Sequence, residues 1–322
     1  MSLDRRALFG LAAAAAATPA IAAPPPDPTE IVALWPGKPP GAQRIVPREQ
    51  IVDRRATSGF QDRFVTGIGA PLMTVFRPAK PNGAAVLIAP GGGYIRVVID
   101  KEGFEVGHRL AAVGVTAFVL RYRLPAEGWD RQADVPLQDA QRAIRLIRAR
   151  AGDWGVDPKR ICAMGFSAGG HVAASLATRY GATVYDAIDA ADRLDARPDL
   201  SALMYPVIDM ARPFAHLGSR EALLGKPPEP GAEAAYSPHR HVDGRTPPTF
   251  LVHAWDDGSA PTENSLNYLA ALRAAKVPAE AHLFEEGGHG FGIGLARGKP
   301  AAVWPDLFLA WAARRGFMGR SA

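Results

Sequence analysis

Gly165-Phe166-Ser167-Ala168-Gly169 sets a serine between two glycines at the spacing G-x-S-x-G. The run before it, Ile161-Cys162-Ala163-Met164, has the apolar character of a strand, and Gly170–Tyr180 has that of a helix. A serine at a sharp strand-to-helix turn sits in a strained backbone conformation with its hydroxyl at the apex, and glycine is needed two residues before and after it. Such a hydroxyl is a weak nucleophile until a base takes its proton, and the base must itself be oriented. For serines on turns of this kind the partners follow in chain order, the acid and then the histidine.

Downstream of Ser167 the histidines are 171, 216, 239, 241, 253, 282 and 289. His289 lies in Glu286-Gly287-Gly288-His289-Gly290-Phe291, a glycine-flanked loop directly after an expected strand, and is assigned as the base. His253 and His282 fall inside expected strands and read as packed or hydrogen-bonded core residues. His171 belongs to the helix after the nucleophile and reads as its structural neighbour. His216, His239 and His241 read as surface residues of an insertion. The acid should leave the end of Thr249–Ala254, which runs into Trp255-Asp256-Asp257. Successive side chains at a strand end point to opposite sides, so one aspartate can face His289 while the other supports the loop or caps the helix opened by Pro261.

An oxyanion formed on acyl attack needs preorganised N–H donors. Pro90-Gly91-Gly92-Gly93-Tyr94 follows the apolar run Ala84–Ala89, and the backbone N–H groups of Gly92 and Gly93, with that of Ala168, are the expected donors. A glycine loop after a strand can instead cradle a dinucleotide. That fingerprint would need glycine at position 96, which is Arg96, and the Gly-Lys-Ser/Thr of a phosphate-binding loop is absent. Tyr94 and Tyr205 are expected to contact substrate, and Trp129 and Trp255 read equally as site or core.

The elements that must position these groups alternate. Strands are expected over Leu72–Arg77, Ala84–Ala89, Val115–Arg121, Ile161–Gly165, Leu200–Met204, Thr249–Ala254 and Ala279–Phe284. Helices are expected over Gly103–Ala112, Val135–Ala151, Gly169–Tyr180, Pro261–Lys276 and Ala302–Arg315. Runs such as Ala85-Val86-Leu87-Ile88-Ala89 are apolar on both faces, as central parallel strands require. In Val135–Ala151 the residues Leu137, Ala140, Ile144 and Ile147 recur at helical spacing. This is the pattern of an α/β protein with a mostly parallel, doubly wound sheet covered on both faces. The stretch 206–248 breaks the alternation, with one short helical piece at Ser219–Leu224, and is expected to insert over the sheet's C-terminal edge as a partial lid.

Of the 322 residues 48% are hydrophobic and 21% charged, the composition of a folded soluble chain. The net charge of +5 is spread along the sequence without a basic block, which argues against a nucleic-acid partner. A single cysteine, Cys162, excludes an intramolecular disulfide and a cysteine-based zinc site. Residues 1–22 read as an export signal. Arg5-Arg6 precedes a short apolar stretch and then Ala20-Ile21-Ala22, a small-residue cleavage pattern, and the arginine pair is that of twin-arginine export. The apolar core is too short for a membrane span, which needs ~20 residues. No stable membrane anchor is expected after cleavage, and the partner is the twin-arginine machinery. Residues 23–59 read as a Pro-rich extension wrapping the surface, and 60–322 as the catalytic domain.

Together these features resemble the α/β-hydrolase superfamily, and within it the acetyl esterase/lipase group that includes secreted carbohydrate acetyl esterases found with xylanases. The similar segments are Leu34-Trp35-Pro36-Gly37, Ala89–Tyr94, Lys101-Glu102-Gly103, Trp154-Gly155-Val156-Asp157-Pro158, Gly165–Gly170, His253–Pro261 and Gly287–Phe291. Esterase/lipase relatives commonly open the oxyanion loop with histidine, where this chain has Pro90, a departure that fits the carbohydrate-esterase side better. The resemblance also supplies the register of the acid. Relatives read His-Gly-x-x-Asp with proline four residues beyond the catalytic aspartate, and both His253 and Pro261 then choose Asp257. It implies hydrolysis of short acyl esters, acetyl above all, without metal or organic cofactor, and the twin-arginine signal places this in the periplasm or medium as an expectation. A peptidase of the prolyl-oligopeptidase type shares the constellation but usually carries a large extra domain, for which this length leaves no room. A non-catalytic scaffold would be favoured by loss of a triad member, and none is lost.

Overall fold

Strands that are apolar on both faces pack only where both faces are covered, and the sheet of this protein follows that demand. A computed structural model describes residues 26–42 and 47–319. The expected signal, residues 1–22, lies outside them. The strands in chain order are β1 (Ile31–Ala33), β2 (Gln50–Asp53), β3 (Arg63–Thr66), β4 (Leu72–Phe76), β5 (Ala85–Ala89), β6 (Val97–Val98), β7 (Thr116–Arg121), β8 (Ile161–Phe166), β9 (Leu200–Met204), β10 (Thr249–Ala254) and β11 (Ala279–Phe284). Among the described residues, eight of them form one sheet in the order β1-β4-β7-β5-β8-β9-β10-β11, and β2-β3-β6 form a small second sheet. From β7 to β11 the pairing is parallel throughout, and β1 and β4 are added antiparallel at one edge. Every residue of β5, β8, β9 and β10 is buried.

Strand order reverses at β5, which pairs with β7 on one side and β8 on the other. At such a switch point the loops leaving the C-terminal ends diverge and open a crevice. The glycine loop leaves β5 there and Ser167 leaves β8, while the loops that carry Asp257 and His289 leave β10 and β11. Helices Val135–Ala149, Ala168–Arg179, Glu263–Ala274 and Trp304–Arg314 lie within a few residues of their expected bounds. The expected helix at Gly103–Ala112 begins earlier. A π-turn, Asp100–Phe104, leads into Glu105–Ala111, with the Phe104 N–H bonded to the Ile99 carbonyl at 2.7 Å. No helix among the described residues is long and apolar enough to cross a membrane.

The extension expected to wrap the surface goes further in. β1 pairs with β4 at the sheet edge, and Leu34 and Trp35 are buried in the main core. The polar face of Val135–Ala149 holds them. Asp139 accepts the Trp35 indole N–H at 2.9 Å, the Arg142 guanidinium donates to the Leu34 carbonyl at 2.9 Å, and Arg123, paired with Asp139, donates to the Pro40 carbonyl at 2.6 Å. Residues that a helical wheel assigns to solvent are therefore buried against another segment.

The insertion after β9 carries helices Leu217–Leu224 and Ala232–Ala235. It is pinned on two sides. Asn264 accepts the N–H groups of Ile208 and Asp209, each at 2.8 Å, and His171 on the helix after Ser167 donates to the Tyr236 carbonyl at 2.6 Å.

Candidate active site

Ser167 has φ 52° and ψ −119°, a conformation that costs an L-residue strain and aims its hydroxyl away from strand and helix alike. The glycines around it are required by contact. A Cβ on Gly165 would stand 2.1 Å from the Gly169 carbonyl oxygen, and one on Gly169 would stand 2.0 Å from that of Ala89. The Ser167 hydroxyl is 2.7 Å from His289 Nε2, and His289 Nδ1 is 2.7 Å from Asp257 Oδ2. Facing an aspartate, Nδ1 carries the proton, which leaves the Nε2 lone pair to accept from Ser167.

The Asp257 side chain is wholly enclosed and both of its oxygens are used. Oδ1 accepts from the N–H groups of Ser259 and Ala260 at 2.8 and 2.9 Å, and Oδ2 accepts a second imidazole, His253 Nε2, at 3.1 Å. Burial alone would raise its carboxyl, but the bonds from His253 and His289 outweigh it and hold the group well below the usual carboxylate range. His253 Nε2 also faces the Ala260 carbonyl at 3.0 Å, so its proton is on Nε2, and its Nδ1 accepts from Ser265 at 2.8 Å. The sequence marks His253 as a core histidine without naming its partner. Its four-residue spacing to Asp257 is the available signal.

Asp256 turns the other way. Its Oδ1 accepts from Gly287 and Gly288 N–H at 2.9 and 2.7 Å, so it braces the loop that carries His289.

The glycine loop abuts Ser167, since a Cβ on Gly91 would lie 2.9 Å from that of the serine. The Gly91 N–H is bonded to Glu102 at 2.8 Å and is not available to a ligand. Gly92 and Gly93 follow with φ of 134° and 66°, values that only glycine adopts without strain, and Ala168 opens the helix after Ser167. The Pro90 carbonyl accepts the Tyr122 hydroxyl at 2.8 Å.

The two tyrosines expected to contact substrate are enclosed instead. Tyr94 is 1% exposed, and its hydroxyl donates to His171 Nδ1 at 2.6 Å. Burial pushes the His171 imidazole down to about 4, which keeps Nδ1 a neutral acceptor. Tyr205 is 0% exposed and lies edge-on beneath His289, with ring centres 5.1 Å apart. Tyr205 packs against His289 and Tyr94 against His171 and Tyr122, through long-range packing that no local pattern records. Trp129 is buried under the Arg123 guanidinium, whereas Trp255 is 57% exposed. His216, in the insertion, is bonded through Nδ1 to Ser219, and burial followed by the nearness of His289 holds its imidazole below the ordinary range.

Residues 73–272 match the model of the BD-FAE family. The chain belongs to that family, an α/β-hydrolase family. Among solved structures, an acetyl ester-xyloside bifunctional hydrolase from Caldicellulosiruptor lactoaceticus is similar in both fold and sequence. The two are 36% identical with a TM-score of 0.72, over 91% of this chain and 98% of that one. Among curated proteins, the acetylxylan esterase of Xylanibacter ruminicola is 33% identical over 230 residues, which is 70% of this chain and 45% of that protein. The esterase LipC of Mycobacterium tuberculosis is 28% identical over 303 residues, 88% of this chain and 72% of LipC. The chain thus spans under half the length of the acetylxylan esterase it matches. The mostly parallel central sheet with its covering helices is that of the α/β-hydrolase fold.

Proposed function

We propose that this carboxylic ester hydrolase removes short acyl groups, acetyl above all, from hydroxyls of carbohydrates such as plant-polysaccharide fragments or related glycosides. The observation that carries the reading is the hydrogen-bonded chain from Ser167 through His289 to Asp257, beside a glycine loop in contact with the nucleophile. Ser167 Oγ attacks the ester carbonyl while His289 Nε2 takes its proton. The C–O π electrons move onto the carbonyl oxygen, where the N–H groups of Gly92, Gly93 and Ala168 stabilise the charge. Collapse expels the alcohol, which recovers the proton from His289. Water, deprotonated by the same imidazole, then releases the acid and restores the serine. The acetyl preference is supported by the acetyl esters in relatives' names and by an insertion that is short and tied down along the nucleophile helix.

Release from acetylated xylan, acetylated mono- and disaccharides, 4-nitrophenyl esters of rising chain length and a peptide amide tests this reading. Acetyl esters should turn over faster than butyryl or longer ones. A preference for chains of eight or more carbons would favour a lipase, and appreciable amide cleavage would favour the peptidase.

Residues 1–22 are proposed as a twin-arginine signal that delivers the folded enzyme to the periplasm or medium. Changing Arg5 and Arg6 together to Lys should leave the precursor in the cytoplasm, since the receptor reads the two guanidinium groups. Undiminished secretion of the Lys-Lys variant in fractionated cells would point to another export route.

A further inference from the structure

Glu102 sits on the π-turn Asp100–Phe104, a winding often found at functional sites, and only 3% of it is exposed. A buried carboxylate costs free energy unless its oxygens are satisfied, so its partners show what it is kept for. Oε2 accepts the Gly91 N–H at 2.8 Å. Oε1 accepts the Tyr205 hydroxyl at 3.0 Å, and that hydroxyl in turn accepts the Gly292 N–H at 3.0 Å. The Tyr205 hydroxyl thus accepts from the Gly292 N–H and donates its own proton to the Glu102 carboxyl. Direct packing repeats the pattern. A Cβ on Gly290 would lie 3.5 Å from Glu102 Oε1, and one on Gly292 would lie 2.4 Å from the Lys101 carbonyl oxygen.

One side chain therefore touches the residue preceding the expected oxyanion donors and, directly and through Tyr205, the residues following the base. Fixing the Gly91 amide toward Glu102 sets the peptide plane from which the next two N–H groups are aimed. Tyr205 joins the same arrangement from a left-handed φ of 36°, with its ring against both His289 and Phe291.

We infer that Glu102 is a positioning residue that joins the glycine loop and the His289 loop into one rigid unit, holding the oxyanion donors and the base at fixed spacing while the tetrahedral intermediate forms. The inference rests on the hydrolase reading above. A displaced donor or base weakens the transition state more than the bound ester, so the loss should appear in kcat and not in KM.

Glu102→Gln and Tyr205→Phe, singly and combined, test it with 4-nitrophenyl acetate and with a serine-directed phosphonate. Glu102→Gln keeps the shape but turns one acceptor oxygen into a donor, so either Gly91 loses its acceptor or the Tyr205 bond must reverse and strand the buried phenol proton. It should lower kcat by roughly 10–100-fold, less than deleting an oxyanion donor outright, with KM within about twofold. The phosphonate labelling rate of Ser167 should fall in step. Residues in one network are not additive, so the double variant should be about as slow as the slower single one. Wild-type kcat and labelling rate in Glu102→Gln would overturn the inference, as would losses that simply multiply. If Glu102→Gln does not fold, Tyr205→Phe, which keeps the ring on His289, carries the same comparison. A wild-type protein that labels at Ser167 but hydrolyses no ester would sink the substrate reading alone, and the labelling rates of the variants would still decide the role of Glu102.

Discussion

Ser167→Ala is expected to remove ester hydrolysis, by roughly 10⁶-fold in kcat if the serine acts as nucleophile in a concerted unit with its base. The substitution deletes one oxygen and leaves the fold intact. Alanine can occupy the same φ of 52° at no greater cost than serine, and the bond lost with Oγ is the one to His289. The unfolding temperature should therefore stay within a few degrees of wild type. A serine-directed phosphonate should label the wild-type protein at Ser167 alone and leave the alanine variant unlabelled. Full activity in the alanine variant, or labelling at another serine, would remove the mechanism proposed above.

How much of this is legible in the sequence depends on the range over which each signal acts. The turn at Ser167 is local. Glycines at 165 and 169 are demanded by carbonyl oxygens 2.1 and 2.0 Å from any added Cβ, and the strand and helix on either side are written in adjacent residues. The central strands are legible for a similar reason, because burial on both faces leaves an unbroken apolar run. The short strands are not. β1, β2, β3 and β6 hold between two and four residues each, too few to display an alternation. β1 is recruited by Trp35, whose partner Asp139 lies 104 positions away on a helix face that reads as solvated.

The support of the site is the least visible part. Gly91, Glu102, Tyr205 and Gly292 come from four separate segments, and each is unremarkable alone. Tyr94 and Tyr205 are expected at the ligand because aromatic residues beside a catalytic loop often line it. Their hydroxyls are instead committed inward, to His171 and Glu102, and their rings are closed off from solvent. A sequence can announce which residues are able to react. It says little about which of their neighbours are occupied in holding them.

Asp257→Asn is expected to lower kcat by roughly 10⁴-fold through the wrong histidine tautomer, while Asp256→Asn should cost about tenfold or less. The difference follows from how the oxygens are used. Asp256 receives both of its bonds, from Gly287 and Gly288, on Oδ1 alone. The single carbonyl oxygen of asparagine can accept both, and the His289 loop keeps its brace. Asp257 has no such latitude, because Oδ1 takes two backbone N–H groups while Oδ2 takes two imidazoles. If the oxygen of the substituted amide faces the backbone, its NH₂ faces His289 Nδ1. That nitrogen can then only accept, the imidazole proton moves to Nε2, and Ser167 loses its base. If the oxygen faces the histidines, the NH₂ group points at two N–H donors and the loop must shift. Either way the chain from Ser167 to the acid is broken. Measured side by side on one acetyl ester, a dead Asp256 variant with an active Asp257 variant would show that the acid is the other aspartate, whatever the geometry of the resting site.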